Sequence, residues 1–540
     1  MSESTSRYSR RYLLRVAAVT PLGAALLAAC GGSGAASSSS TAASSAPATV
    51  ASSSAAKATS ASASSTQAAA PANAPQPTPK PAAVVSSSAA TATSASASST
   101  QAAAPANAPQ PTPTPAAGET HKGAATTIDL WYGWGGATEI KTWEALGKQM
   151  GQALTGFNVH WITANNNTKL LTAIAGGSPP NVAVGNAPYP EFWARGAALP
   201  LDAMLAKSTA VTKTDIPASS WSYASYKGKT FGVPAIEAFV RYALCMDATN
   251  LKNVGIDPKT VSWDWETLTQ LQQQLTKKAP NGSISVLGID PLDSMGGTMS
   301  GGNPFFWADS WGIQYFDEPT GKFNFANDQL AEAMATIKKL YDIAGGAQTV
   351  SGFHNSYGTW ATNPTSAFPS GVEDMQIDGY WDAGWVAHDA TSREFAYTWA
   401  PVPTSRKGVM FQSTGGHSAF LPKGSKNADQ SFQLIEFLVG DTAATAIFDG
   451  SGFLGARKSF LGKLSQAQIA KYPGLDWFIN SYTHNDKLYS IPSNPVESFT
   501  ATQWNTALQN VLYGKAQPKD ALAQLQQIVT NQLQQQFPNG

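Results

Sequence analysis

The chain has 540 residues, and its 35 Lys plus Arg balance its 35 Asp plus Glu, so the formal net charge is zero with only 13% of residues charged. Nothing in that balance attracts a nucleic-acid backbone or an anionic surface. The six histidines form no H-E-x-x-H or H-x-E…C-x-x-C pattern, and no Walker A, G-x-S-x-G elbow or paired C-x-x-C occurs, which excludes the common zinc, phosphate and serine-hydrolase signatures.

In chain order, the first element is an export signal. Arg7, Arg10, Arg11 and Arg15 lead into an apolar stretch at 16–29 and then into Leu27-Ala28-Ala29-Cys30-Gly31. That is a basic n-region, an apolar h-region and a small-residue cleavage site. The stretch is shorter than the roughly 20 apolar residues that a bilayer-spanning helix needs. Leu27-Ala28-Ala29-Cys30 resembles a bacterial lipobox, in which the cysteine is lipidated, and residues 9–14 resemble a twin-arginine signal. Residues 1–29 are therefore expected to be removed, leaving Cys30 acylated at the outer face of the cell membrane.

Residues 30–123 are almost wholly Ala, Ser, Thr, Pro and Gln, without an aromatic side chain. Such a segment cannot bury enough apolar surface to offset the entropy of ordering. It contains an internal repeat: 52–83 recurs as 86–117, altered only where Lys57 becomes Thr91 and Lys80 becomes Thr114. With no apolar face to stack, the repeat reads as duplicated linker rather than solenoid. A coil of about 90 residues spans on the order of 50 Å, and its Pro-Thr runs stiffen it. The segment is expected to act as a lipid-anchored stalk.

The folded part runs over 124–540 and holds all 16 Trp. At that length two lobes are expected rather than one core. Strand patterns at 127–132, 157–163 and 182–185 alternate with helical patterns at 138–153 and 168–175, which predicts a parallel α/β sheet. Further on, 241–246 reads as a strand, and 263–278, 330–342, 431–439 and 518–535 read as helices. With Cys30 lipidated, Cys245 stands alone in an apolar run. It is expected to be buried strand filler, without a disulfide.

Several segments of this part resemble extracellular solute-binding proteins of the carbohydrate (maltodextrin-type, family 1) class, which serve ABC importers. They are IDLWYGWGG (128–136), LLTAIAGGSPPNVAV (170–184), ARGAALPLDAML (194–205), YKGKTFGVPAIEA (226–238), FFWADSWGIQYFDEPTGK (305–322), EDMQIDGYW (373–381) and GGHSAFLPKGSKNADQSFQLIEFL (415–438). The segments stand in family order across nearly all of the folded part. Met246-Asp247-Ala248-Thr249 departs from the family's Tyr-Asn-Lys-Asp, and the stalk is unusually long.

The resemblance implies a periplasmic-binding-protein-like α/β fold, with two lobes, a hinge and an interlobe ligand cleft. Lobe 1 is expected at about 124–235 plus 402–458, and lobe 2 at about 239–397 plus 459–540. Hinges are expected near 236–241 and 398–402, with a third around 457–460. The resemblance also implies a stacking tryptophan at Trp381 and a hydroxyl-binding carboxylate at Glu237. Position and residue chemistry add Trp134 and Gly135 in the first Gly-flanked loop, and Asn186 after the strand at 182–185. They also add Phe305 and Trp307 as a facing wall, Gly416 and His417 in the Gly-Gly-His turn, and Trp504 on a late helix. Aromatic rings suit the C–H face of a sugar, while amides, carboxylates and backbone N–H suit its hydroxyls.

The expected function is thus capture of a sugar or oligosaccharide outside the membrane by a monomeric, non-enzymatic lipoprotein, without cofactor or metal and without nucleic acid. Its partners would be the ligand, a permease with cytoplasmic ATPases, and the membrane through Cys30. The alternatives are a surface polysaccharide hydrolase or lyase, for which two carboxylates would flank the scissile bond, and a carbohydrate-binding adhesin.

Overall fold

The structure is a computed structural model that describes residues 126–133, 137–163, 167–185, 189–234, 237–293, 304–360, 364–390 and 392–538. The signal, Cys30, the linker, Trp134, Gly135 and Asn186 lie outside the described residues. Among the described residues, no helix is long and apolar enough to cross a membrane.

Eleven strands frame the site: β1 (Thr127–Gly133), β2 (Asn158–Thr163), β3 (Val182–Gly185), β4 (Gly232–Pro234), β5 (Ala243–Asp247), β6 (Ile284–Asp290), β7 (Glu373–Asp378), β8 (Phe395–Thr398), β9 (Phe411–Thr414), β10 (Ser418–Phe420) and β11 (Lys487–Ser490). Two five-stranded sheets result. The first has the order β2-β1-β3-β10-β4. Its β1 runs parallel to both β2 and β3, as the alternation of strand and helix predicts. One strand runs against the others: β10 returns from far along the chain and is antiparallel to both of its neighbours, β3 and β4. All four β3 residues are buried, as expected for a strand covered on both faces.

The second sheet has the order β8-β5-β7-β6, closed by the two-residue edge strand Lys277–Lys278. Here β6 and β7 are parallel, while β5 is antiparallel to both of its neighbours. Alternation along β5 sends Tyr242, Leu244 and Met246 into one core and Ala243 and Cys245 into another. The first core is aromatic: Trp265 stacks on Trp307 at 5.4 Å and on Trp311 at 5.9 Å. The helices Glu497–Leu512 and Pro518–Gln536 add Trp504 and Val529 to it. The second core joins the sheet-two face holding Cys245 to the helices Trp381–Asp389 and Leu475–Thr483, and it extends to the first sheet. Cys245 is buried and free, and burial pushes its thiol well above the usual range. That is the behaviour of strand filler, not of a nucleophile.

Two chain segments that connect the sheets are laced together. Arg241 N donates to Ser413 O (3.0 Å), Gly415 N to Phe239 O (3.3 Å) and His417 N to Glu237 O (2.7 Å). An antiparallel bridge joins Val240 to Thr414. A third stretch runs beside them, where Ala238 N donates to Leu454 O (3.3 Å). β9 also pairs in parallel with β11. Val402 remains attached to the second half through bonds with Trp263 and Trp265. The return crossing therefore falls at 412–417, later than the 398–402 that the sequence suggests.

Candidate functional site

The crossing segments bring one group of polar and aromatic side chains together. His417 Nδ1 lies 3.1 Å from Glu237 Oε2, and both residues are buried. Burial, reinforced by the Arg241 charge, pushes the His417 pKa down to about 3. A neutral imidazole is thus the state beside Glu237, and the contact is not an ion pair. The backbone alignment that places the two side chains depends on Gly416. Its φ is +141°, and a Cβ there would lie 1.7 Å from Glu237 O. Only glycine allows the two segments to approach this closely.

Arg241 is half-buried, four residues after Glu237 on the same segment. Its guanidinium lies 5.3 Å from the ring centroid of Trp381 and 5.8 Å from that of Phe305. Each contact is worth about 0.5–2 kcal/mol, depending on desolvation. Its Nε is buried without a hydrogen-bond partner among the described residues.

Trp381 opens the helix Trp381–Asp389, and Asp378 accepts from Gly379 N (2.7 Å) in the turn before it. A Cβ on Gly379 would lie 2.3 Å from the Trp381 ring, so the glycine makes room for the indole. Tyr380 meets that ring edge-on at 5.7 Å. Phe305 comes from the first turn of Pro304–Trp311 and stacks near Tyr242 at 6.4 Å. Beside His417, Ser418 N donates to Tyr189 OH (2.8 Å), and Tyr223 lies 6.2 Å from the Tyr189 ring.

Of the residues singled out from sequence, Glu237, Phe305, Trp381, Gly416 and His417 belong to this group. Trp307 and Trp504 do not. Each is 0% exposed, Trp307 among Trp265, Phe306 and Trp311, and Trp504 beside Phe325 at 6.1 Å. Both are held in the apolar core of the second sheet, where helical spacing alone accounts for them. Arg241, Tyr189 and Tyr223 join the group without having been singled out. A cation heading the apolar run 242–246 is the one sequence signal that pointed to Arg241.

Chemically, the group offers an indole face, a guanidinium, a carboxylate and a neutral imidazole. Together these accept and donate to hydroxyls and pack a C–H face. A separate cavity of about 1040 Å³ lies between Tyr226, Phe316, Glu318 and Phe537 and contains none of these residues.

The fold and this group can be set beside known proteins. A mannotriose-bound protein, CpMnBP1, superposes with a TM-score of 0.66 at 22% identity, covering 75% of this chain and all of that one. The maltose/maltodextrin-binding domain MalE from Bdellovibrio bacteriovorus, bound to maltotriose, gives 0.61 at 17% identity over 76% of this chain and all of that one. An ABC transporter solute-binding protein from Thermotoga lettingae TMO, bound to α-D-tagatose, gives 0.61 at 17% identity over 75% and 99%. These likenesses show a shared periplasmic-binding-protein-like fold. No curated protein matches the chain. The sequence pattern of the bacterial extracellular solute-binding proteins matches residues 144–477, more than half the chain, and the chain therefore belongs to that family.

Proposed function

We propose that the protein captures a sugar or short oligosaccharide outside the cell membrane and delivers it to an ABC permease, leaving it chemically unchanged. The observation that carries this reading is the convergence of Glu237, Arg241, Trp381 and His417 where the two sheets' connecting segments meet. An aromatic face backed by hydroxyl-pairing groups is what a pyranose needs, and the structural relatives carry mannotriose, maltotriose and tagatose. Trp134, Gly135 and Asn186, which follow β1 and β3 in the sequence, would complete the ligand's surroundings, since open α/β sheets bind ligands beyond the carboxyl ends of their strands. Contacts to both lobes would favour a closed form by their differential affinity. Acylation of Cys30 would tether the protein, with 30–123 as its stalk.

A thermal-shift screen of mannose-, maltose- and tagatose-type saccharides, followed by calorimetry on the hits, tests this function. Micromolar binding, about −8 kcal/mol, with the sugar recovered intact, is the expected result. Cleaved sugar after incubation would favour the hydrolase alternative.

A further inference from the structure

A second polar cluster lies inside the other half of the molecule. Asp290 ends β6, Asp293 follows three residues later, Glu373 begins β7, and His354 sits on the helix Ala347–Tyr357. Asp290 and Glu373 are 0% exposed, Asp293 1% and His354 8%. Donor atoms of Asp293, His354 and Glu373 lie within 4.8 Å of one another. Asp290 Oδ2 is 2.8 Å from His354 Nε2. Among the described residues, His354 is the cationic side chain within ion-pair reach of these carboxylates.

Two oxygens of this cluster, Asp293 Oδ2 and Glu373 Oε2, are buried with no hydrogen-bond partner among the described residues. An unpaired buried carboxylate oxygen costs several kcal/mol, on the order of the penalty for burying an unmatched charge. Adding a proton to either oxygen would create an O–H that itself needs an acceptor. A cation needs only their lone pairs. The other oxygens of these carboxylates carry hydrogen bonds, as metal-ligating carboxylates commonly do. Tyr341 OH donates to Asp290 Oδ1 (2.6 Å), Asp290 N to Glu373 Oε1 (3.0 Å) and Trp360 N to Asp293 Oδ1 (3.2 Å). Gly358 O lies 3.0 Å from His354 Nδ1. A carbonyl can only accept, so Nδ1 carries a proton; Nε2 faces the Asp290 carboxylate and must give up its own proton to solvent before it can bind a metal.

We propose that Asp293, His354 and Glu373, with Asp290 beside them, form a buried binding site for a divalent transition-metal ion of the zinc or manganese kind. One imidazole nitrogen with carboxylate oxygens is a donor set those ions accept, whereas calcium takes oxygen alone. Ligand atoms around a zinc ion stand roughly 3.4 Å apart on a shell of about 2.1 Å, so side-chain rotation must draw the donors inward. The metal would tie the end of β6, the start of β7 and the helix Ala347–Tyr357 into one unit. No ligand spacing shows in the sequence, because the four residues are scattered over 290–373 and meet only through tertiary pairing.

The test uses the full-length chain, unfolded in chelator and refolded with Zn²⁺, Mn²⁺, Ca²⁺ or no metal. Metal content after gel filtration is measured by mass spectrometry and Tm by fluorescence. The expected result is about one Zn²⁺ or Mn²⁺ per chain, a Tm several degrees above that of metal-free protein, and no retained Ca²⁺. Glu373→Gln and Asp293→Asn should each lose the bound metal and the Tm increment. Refolded wild type that holds only a small fraction of one equivalent, with the same Tm in every metal, overturns the proposal whether or not the variants fold.

Discussion

Trp381 and Trp307 occupy contrasting surroundings in one molecule. Trp307 is fully buried beside the rings of Trp265, Phe306 and Trp311. Trp381 is nearly as buried, at 8% exposure, yet carries the Arg241 guanidinium on its face and stands beside Tyr380. Burial alone thus does not tell the two rings apart. The neighbouring charge does, because a guanidinium with an unpaired Nε is expensive in a core and useful beside a polyhydroxylated ligand.

The largest expected effect tests the core side of that contrast. Trp307→Ala should lower stability by about 3–5 kcal/mol, read by denaturant unfolding, while the folded fraction keeps wild-type sugar affinity. Lost affinity at full folding would move Trp307 into the site.

Next, Gly416→Ala should separate the crossing segments, since the new Cβ collides with Glu237 O. A loss of about 2–4 kcal/mol is expected, together with weakened binding. A variant with unchanged stability would contradict the close backbone approach.

Glu497 shows the same core tolerating a polar group once its charge is removed. Burial raises its pKa from 4.5 to about 7, while Asn494 and Tyr315 both bond to its Oε2. The folded pKa lies above the unfolded one, so the stability it contributes is complete below pH 4.5 and is lost as the pH rises towards 7. The loss amounts to about 3 kcal/mol. Glu497→Gln should flatten that part of the stability curve relative to wild type. Parallel curves for the two proteins would refute the shift.

The smallest effect in energy bears most on function. Trp381→Ala should weaken saccharide binding at least tenfold, about 1.4 kcal/mol, at a smaller cost in stability than Trp307→Ala.

The local elements were legible because their signals are local. Apolar runs marked β1 and β3, and helical spacing marked Pro518–Gln536. Strand direction was not legible: β10 joins β3 and β4 across more than 180 residues, and no short-range pattern encodes such pairing. In the candidate site, Glu237 and Trp381 were singled out through family-like segments and Gly416 through its Gly-Gly-His turn. Trp504 was singled out for its place on a late helix, yet it lies in the core, since an aromatic on an amphipathic helix looks alike in either setting. Arg241 escaped notice because its meaning comes from Trp381 and Phe305, which arrive from distant segments.

The most direct test pairs small-angle scattering with product analysis on wild type and Trp381→Ala, each titrated with the best saccharide from the screen. Wild type should become more compact on saturation and return the sugar intact, while the variant needs at least tenfold more ligand for the same change. A scattering profile unchanged by any saccharide that binds, or a sugar returned in fragments, would contradict capture and release between two closing lobes.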